Sequence, residues 1–438
     1  MSIMSKDDAK ALMQKALAYS KADECEINLN GTTTGNVRYA LNTVTTSGAT
    51  RDLTMVVQSS FGKKQGTTTL NQFDDASIER AVRAAEQLAQ LAPENPEHMP
   101  VLSQQEYVES RQYVQATADI SPEYRAEAAA NSIVPSREKD LTAAGFINDS
   151  HGFQAMANSK GLFAYNTSTD VNFSTTIRTG DGTGSGWARR DFNDVSKLDT
   201  GQASQIAIEK ALMSREPRAI EPGKYTVIME PAATVTLIGN MAGAFDRRLI
   251  DEGRSFLSSG EGANKIGEKV FDERVTVYAD PQDPDVPFAP WAGDGQAQKK
   301  RVWIDKGVVK VVGCSRYWAE QNEHEAIPNP GSIVMEGGEA SLEDMIKDVR
   351  RGILVTRTWY IRTVDPQTQL YTGLTRDGTF YVENGQLKYP VKNLRFNESP
   401  VIMLNNIEAL GKPQRINGNM IPPMILRDFT FTSLSDAV

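Results

Sequence analysis

Three histidines and two cysteines are all the imidazole and thiol chemistry that this 438-residue chain holds. A catalytic zinc needs three protein ligands drawn from His, Cys, Asp and Glu. His98, His151 and His324 stand far apart, and neither H-E-x-x-H nor C-x-x-C occurs. Only "NEHEAIPNPG" gathers ligating types, with His324 between Glu323 and Glu325. Neighbouring side chains on a helix or strand point apart, so that cluster would hold an ion only from a loop. His324 is the one metal candidate, and a solvated polar loop is the simpler reading.

Nucleophile chemistry is equally sparse. No G-x-S-x-G occurs, and no spacing pairs a Ser or Cys with a His. Two other constellations suit binding. Arg247, Arg248 and Arg254 lie among Asp246, Asp251 and Glu252. Paired guanidinium N–H groups clamp a carboxylate such as a peptide terminus; salt bridges holding a helix end are the alternative. "RTGDGTGSGW" holds Gly180, Gly182, Gly184 and Gly186. A phosphate loop needs a helix and a Lys after the glycines, whereas strand-like "GWARRDF" follows. A hairpin is expected, with Gly182 and Gly184 open to close approach by an extended peptide.

The elements that must position these groups follow from periodicity. Ser5 caps a first helix, and Cys25, Ile27 and Leu29, then Val37, Tyr39 and Leu41, alternate as in strands. A helix over Asp74–Leu91 carries the stripe Ile78, Ala81, Val82, Ala85, Leu88 and Leu91. The proline-rich "APENPEHMP" is a linker. Beyond it come a helix capped by Ser121 with Pro122 at its first position, four strand-like runs, and a helix near 201–214. Past Pro217 and Pro222 the chain turns β-rich, interrupted by three helices: "TVTLIGNMAGAFDRR", "SLEDMIKDV" and "SPVIMLNNIEALG". The fold class is α+β: two repeated α–β-meander–α units, 1–100 and 101–218, followed by a β-rich domain, 219–438. The two meanders are expected to join into one sheet, because each buries a single face.

The bulk composition excludes several functions. A formal charge of −9 argues against direct nucleic-acid binding or adhesion to an anionic membrane. No apolar run is long enough to span a bilayer, and residues 1–14 are charged and amphipathic, unlike a signal peptide. Two cysteines give no disulfide framework and suit the reducing cytoplasm.

Six segments in order resemble the third domain of the TldD/PmbA family: "EPGKYTVIMEPAA", "GRSFLSS", "IGEKVFDERVTVYADP", "KKRVWIDKGVVK", "GGEASLEDMIKDVRRGILVTR" and "VDPQTQLYTG", the last followed by "GTFYVENGQLKYPVKNLRFNESPVIMLNNIEALG". Members are known as modulators of DNA gyrase and as peptide-maturing or antitoxin-degrading proteases. In the TldD branch, a helix after the "Y-x-V-x-x-x-P" strand carries H-E-x-x-x-H, and its two His bind zinc with a later Cys. Those positions fall here on Val235, Thr236 and Asn240, and no Cys follows Cys314. The resemblance therefore implies the PmbA, or TldE, branch: no catalytic residues and no cofactor, with zinc held only by a TldD-type partner. It further implies a peptide substrate, and a homodimer when the chain is isolated. The alternatives are a metallopeptidase with an unusual metal site at His324, or a non-proteolytic modulator of DNA gyrase or an antitoxin.

Overall fold

The computed structural model describes residues 3–260 and 262–435; Met1 and Ser2, at the start of the amphipathic opening stretch, lie outside it. The first half runs α1 (Lys6–Tyr19), β1 (Glu24–Ala40), β2 (Thr43–Phe61), β3 (Lys64–Leu70) and α2 (Asp75–Leu91). After the linker and a single turn, α3 (Gln115–Ala118), come α4 (Pro122–Glu138), β4 (Leu141–Asn158), β5 (Phe163–Thr179), β6 (Ser185–Phe192) and α5 (Thr200–Met213). Ser5, Asp74 and Ser121 cap their helices by accepting from the backbone N–H three residues on.

The six strands form one antiparallel sheet in the order β3-β2-β1-β4-β5-β6, so the meanders do join, across β1 and β4. One face is apolar and covered by helices. Cys25, Ile27 and Leu29 pack with Met13, Ile78 and Val82, while Val37 and Tyr39 pack with Ile133 and Phe173. β1 runs without a break through Gly31 and Gly35, where two separate strand-like runs had been visible. A side chain at Gly31 would meet the Phe153 ring, and one at Gly35 the Arg125 guanidinium. That guanidinium grips buried Asp149 through Nε and Nη2, at 2.5 and 2.9 Å.

Some pattern readings failed at their ends. Leu41 lies not with Val37 and Tyr39 but in the β1–β2 turn, 80% exposed at φ +50°. In α2 the predicted stripe residues Leu88 and Leu91 are exposed; buried Glu86 takes the inward place, accepting from the Lys21 N–H and pairing with Arg83.

The second half comprises β7 (Gly223–Met229), α6 (Pro231–Ala242), α7 (Arg247–Asp251), β8 (Val277–Ala279), β9 (Arg301–Asp305), β10 (Val308–Val309), α8 (Arg316–Asn322), β11 (Val334–Met335) and α9 (Leu342–Asp348). It ends with β12 (Arg351–Asp365), β13 (Leu370–Glu383), β14 (Gln386–Pro390), β15 (Leu394–Glu398), α10 (Pro400–Asn405), β16 (Ile407–Leu410), β17 (Gln414–Ile416), β18 (Asn419–Ile421) and β19 (Met424–Leu434). One sheet runs β10-β9-β8-β11-β18-β17. The other runs β12-β7-β19-β15-β13-β14, and a β12–β13 pairing closes five of its strands into a ring. "SPVIMLNNIEALG" is helical only over Pro400–Asn405; Ile407–Leu410 pairs with β19 instead. Cross-strand bonding overrides helix propensity there.

The halves are latched by Asp191 on β6. It is buried, and it accepts from the Asn417 and Gly418 N–H groups in the β17–β18 turn at 2.8 and 2.7 Å. Arg415 lies 3.4 Å away. Nearby on β5, burial first and the Asp191 charge second push the Asp170 carboxyl up to about 6. The folded state therefore holds a proton there that an unfolded Asp, near 3.9, releases. Asp170 thus makes stability rise as pH falls from 7 through 6 toward 4, by about 1–3 kcal/mol. Asp170→Asn should remove that gain; comparing urea midpoints of variant and wild type at pH 5 and pH 7 checks it.

Candidate functional site

β7 delivers the chain into α6 through Glu230 and Pro231. The proline fixes the first helical φ. Lys210 on α5 grips both Glu230 oxygens at 2.7 and 2.8 Å, tying the start of α6 to the first half. The Thr358 hydroxyl donates to the Ala233 carbonyl at 2.8 Å. α6 then buries Ala233, Thr234, Val235, Leu237, Ile238 and Met241, leaving Thr236, Gly239, Asn240 and Gly243 exposed. The helix read as continuous to Arg248 stops at Ala242. Gly243 ends it, and the chain then bonds to Gly313 from both Phe245 and Arg247 before Asp246 caps α7.

One cavity flanks the end of α6 and a second adjoins it. One, of about 250 Å³, is lined by Ile238, Met241, Phe245, Trp303, Asn329 and Asn419 among others. Its floor is the aromatic core, where the Phe245 and Phe271 rings lie 6.5 Å apart. Trp303 Nε1 is buried there without an acceptor. An unpaired buried N–H is unfavourable by about 1–3 kcal/mol. The second cavity, of about 490 Å³, shares Asn329 and Gly331 with the first and continues past Asp246 to Cys314. Together they make an apolar groove with a few polar fixtures, the usual chemistry of a ligand site.

Nucleophiles are not presented. Burial pushes the Cys314 thiol up to about 11 and also raises Cys25. Both stay protonated near neutrality, and a thiol attacks only as thiolate.

The arginines that sequence singled out form a network beside this groove. Arg247 holds both oxygens of Asp251 at 2.9 and 3.0 Å. Asp251 also accepts from Trp318 Nε1 at 2.8 Å and faces His324 Nε2 at 3.5 Å. Arg248 pairs with Glu97 from the linker and with Glu252, both at 2.9 Å, and lies over the Trp318 ring. Arg254 pairs with Glu252. Each guanidinium thus already has a carboxylate, and a peptide terminus would have to displace one. His324 has Asp251 as its neighbour, while Glu325 pairs with Arg301. Among the described residues, no three His, Cys, Asp or Glu side chains gather as a cation cage. The zinc that the resemblance implies for TldD-type members does not fit the corresponding positions on α6: Val235 is a buried hydrocarbon, and Thr236 and Asn240 are neutral, poor ligands.

The glycine loop is the β5–β6 hairpin, elsewhere in the molecule. Gly182 takes φ +73° at its turn. At Gly184 a side chain would strike the Ala211 carbonyl of α5, so the close approach there serves helix packing. Gly182 lines a separate cavity with Ser185, Asp377 and Gly378; the fold does not bring it to the arginines. Trp303 escaped sequence reading, because a Trp on a strand gives no sign of whether its N–H finds an acceptor.

A known architecture emerges from this combination of a sheet with one helix-covered face, a strand-ring domain and a helix at their junction. The chain belongs to the PmbA/TldA metallopeptidase family: residues 25–89 match its domain 1, 102–215 its central domain and 222–433 its C-terminal domain. It is 23% identical to a metalloprotease of Methanothermobacter thermautotrophicus over 61% of this chain and 62% of that protein. It is also 23% identical to the metalloprotease PmbA of Escherichia coli O157:H7, over 69% and 68%. TldE from Thermococcus kodakarensis has the same fold, with a TM-score of 0.87 at 19% identity, covering 97% of this chain and all of that one. A Thermotoga maritima protein described as a proposed modulator of a DNA gyrase matches with a TM-score of 0.86 at 16% identity, again over 97% and 100%. No described helix is long and apolar enough to cross a membrane.

Proposed function

We propose that this chain is a peptide-binding subunit without a catalytic metal of its own, working beside a TldD-type partner that carries the zinc. The observation that carries the reading is α6. It follows β7 where a zinc-binding member of the family keeps its ligands, yet its exposed residues are Thr236, Gly239 and Asn240, and it meets the groove with Ile238, Gly239, Met241 and Ala242. The groove beside it still suits an extended peptide: apolar walls for side chains, and the Asn329 and Asn419 amides as polar contacts. The fold shared with TldE and the kinship with PmbA support the pairing. Two buried, unpaired thiols suit the cytoplasm, and in isolation the chain is proposed to be a homodimer.

The test is co-expression with a TldD-type subunit. The expected result is a stable complex that cleaves peptide and contains about one zinc per pair, consistent with three-ligand catalytic sites, with none on this chain alone. Arg247→Ala with Arg248→Ala, assayed separately for complex formation and cleavage, decides whether the network contacts substrate. About one zinc on the isolated chain, lost in His324→Ala, would replace this reading with that of a metallopeptidase using an unusual site. A chain that never associates with the partner would favour the non-proteolytic modulator.

A further inference from the structure

A different cavity, of about 530 Å³, lies where the two halves meet. β6 and α5 form one wall; the start of α6 with α9, β12, β13 and β17 forms the other. Its lining carries five basic and three acidic side chains, in a chain whose formal charge is −9. Lys210 is satisfied by Glu230, and Arg415 by Asp191. Arg190 is not satisfied. Its guanidinium carries five N–H donors, yet its one hydrogen bond runs from Nη1 to the Arg189 carbonyl at 2.8 Å. No described carboxylate lies within ion-pair distance of it. Glu230, Asp191 and Asp199 act on it only from beyond ion-pair distance, and a mostly buried guanidinium with unbonded N–H donors favours an anion that can meet them.

Three further donors or openings converge on the same space. Thr356, 1% exposed on β12, has a hydroxyl without a partner. The twelve-residue α6 begins here with no side-chain cap, and Ala232 lines the wall. The first amides of a helix attract negative charge. β6 is the last strand of its sheet and forms a ladder only with β5; on its outer side Ser214 holds the Ser185 N–H and carbonyl and Arg190 holds the Arg189 carbonyl, and the rest of that edge has no described strand partner.

We infer that this cavity binds a carboxylate, supplied by the C-terminal residue of a short peptide laid along the β6 edge. Arg190 and the Thr356 hydroxyl take the carboxylate, and the edge takes the main chain. This rests on the peptide-binding reading above but places a second anchor at a different part of the fold. Guanidinium and carboxylate match as planar, paired donors and acceptors, which is why a carboxylate suits Arg190 better than a point-like anion.

The experiment is calorimetric titration of the isolated full chain with N-acetyl-tetra-alanine as the free acid, the same peptide as its C-terminal amide, and succinate. The free acid should bind at least about tenfold more tightly than the amide, the order of loss expected when a charged hydrogen-bond partner is removed. Arg190→Gln should erase that difference. Thr356→Val should weaken the acid about three- to tenfold, at an unchanged thermal midpoint. Should Arg190→Gln fail to fold, the acid–amide comparison on the unaltered chain decides alone. Equal binding of acid and amide, or no binding of either, overturns the inference. Succinate competing as strongly as the peptide overturns the assignment of the carboxylate to a peptide end. Carboxylate binding without any TldD-type complex would leave this site standing and remove the subunit reading; a working complex with equal acid and amide binding would do the reverse.

Discussion

Replacing Asp377 with alanine should lower the stability of the folded chain by about 3–5 kcal/mol, the range found when one member of a buried ion pair is removed. Asp377 is buried on β13 at φ +56°. Its Oδ2 lies 3.1 Å from Arg357 Nε, and its Oδ1 accepts from the Ser185 hydroxyl at 2.6 Å. The Arg357 guanidinium is stacked between the Trp187 and Trp359 rings, at 4.5 and 4.8 Å. Ser185 and Trp187 belong to β6, and Arg357 and Trp359 to β12, so one carboxylate ties the two halves together. Without it, Arg357 keeps its desolvation and loses its partner. Burial already pulls the Arg357 guanidinium below its usual range, with Asp377 as the main opposing influence. Asp377→Asn keeps the shape and an acceptor for Ser185, so it should destabilise less. Urea denaturation followed by tryptophan fluorescence reads the change, with Trp187 and Trp359 as reporters beside the site. A loss under about 1 kcal/mol for Asp377→Ala would mean that the cluster behaves as an exposed surface pair.

That cluster was invisible in the sequence, whereas much of the frame around it was not. Ser5, Ser121 and Ser341 announced helix starts because capping is a local bond, to an amide three residues away. Cys25, Ile27 and Leu29 announced a half-buried strand because alternation needs only a sheet with one covered face. That α6 holds no His, Cys, Asp or Glu was legible outright, because residue type needs no fold. The failures came where distant contacts decide. Ile407–Leu410 left the helical pattern because β19 offered a ladder. At the end of α2 the inward places fell to Ala85, Glu86 and Ala89, with Glu86 bound by an amide and a guanidinium, and Leu88 and Leu91 stayed exposed. For Arg247 and Arg248 the sequence left both a carboxylate clamp and helix-end salt bridges open; the fold sets Asp251 and Glu252 against them, as the salt-bridge reading has it, and adds Glu97 from the linker, which no local spacing announced. Arg190, Trp303 and Thr356 matter through partners they lack, and no spacing rule reports a missing partner.

Asp191→Ala should uncouple the two halves. Its carboxylate takes two main-chain N–H groups of the β17–β18 turn and faces Arg415. Charge-assisted bonds of this kind contribute about 1.5–3 kcal/mol each when partly buried, and they act together, so a loss of about 2–4 kcal/mol is expected. The loss falls on the junction, not on either core: the first half keeps the Ile27–Ile78 and Val37–Phe173 clusters, and the second keeps its own. A scanning-calorimetry trace should therefore broaden or split into two transitions, since the remaining interface is less able to couple the halves. A second readout excludes simple damage to β6. The Asp191 charge is the largest influence after burial that raises Asp170. With that charge gone, the Asp170 carboxyl falls toward its ordinary value, and the stability gained between pH 7 and pH 5 should shrink, as it does in Asp170→Asn. Asp191→Asn removes the same charge but keeps one acceptor for the turn, so it should flatten the pH response while leaving the transitions more nearly joined. If Asp191→Ala unfolds in one transition at the wild-type midpoint, with the wild-type pH response, the halves are held together by the Arg357–Asp377 cluster and the Lys210–Glu230 pair without help from this latch.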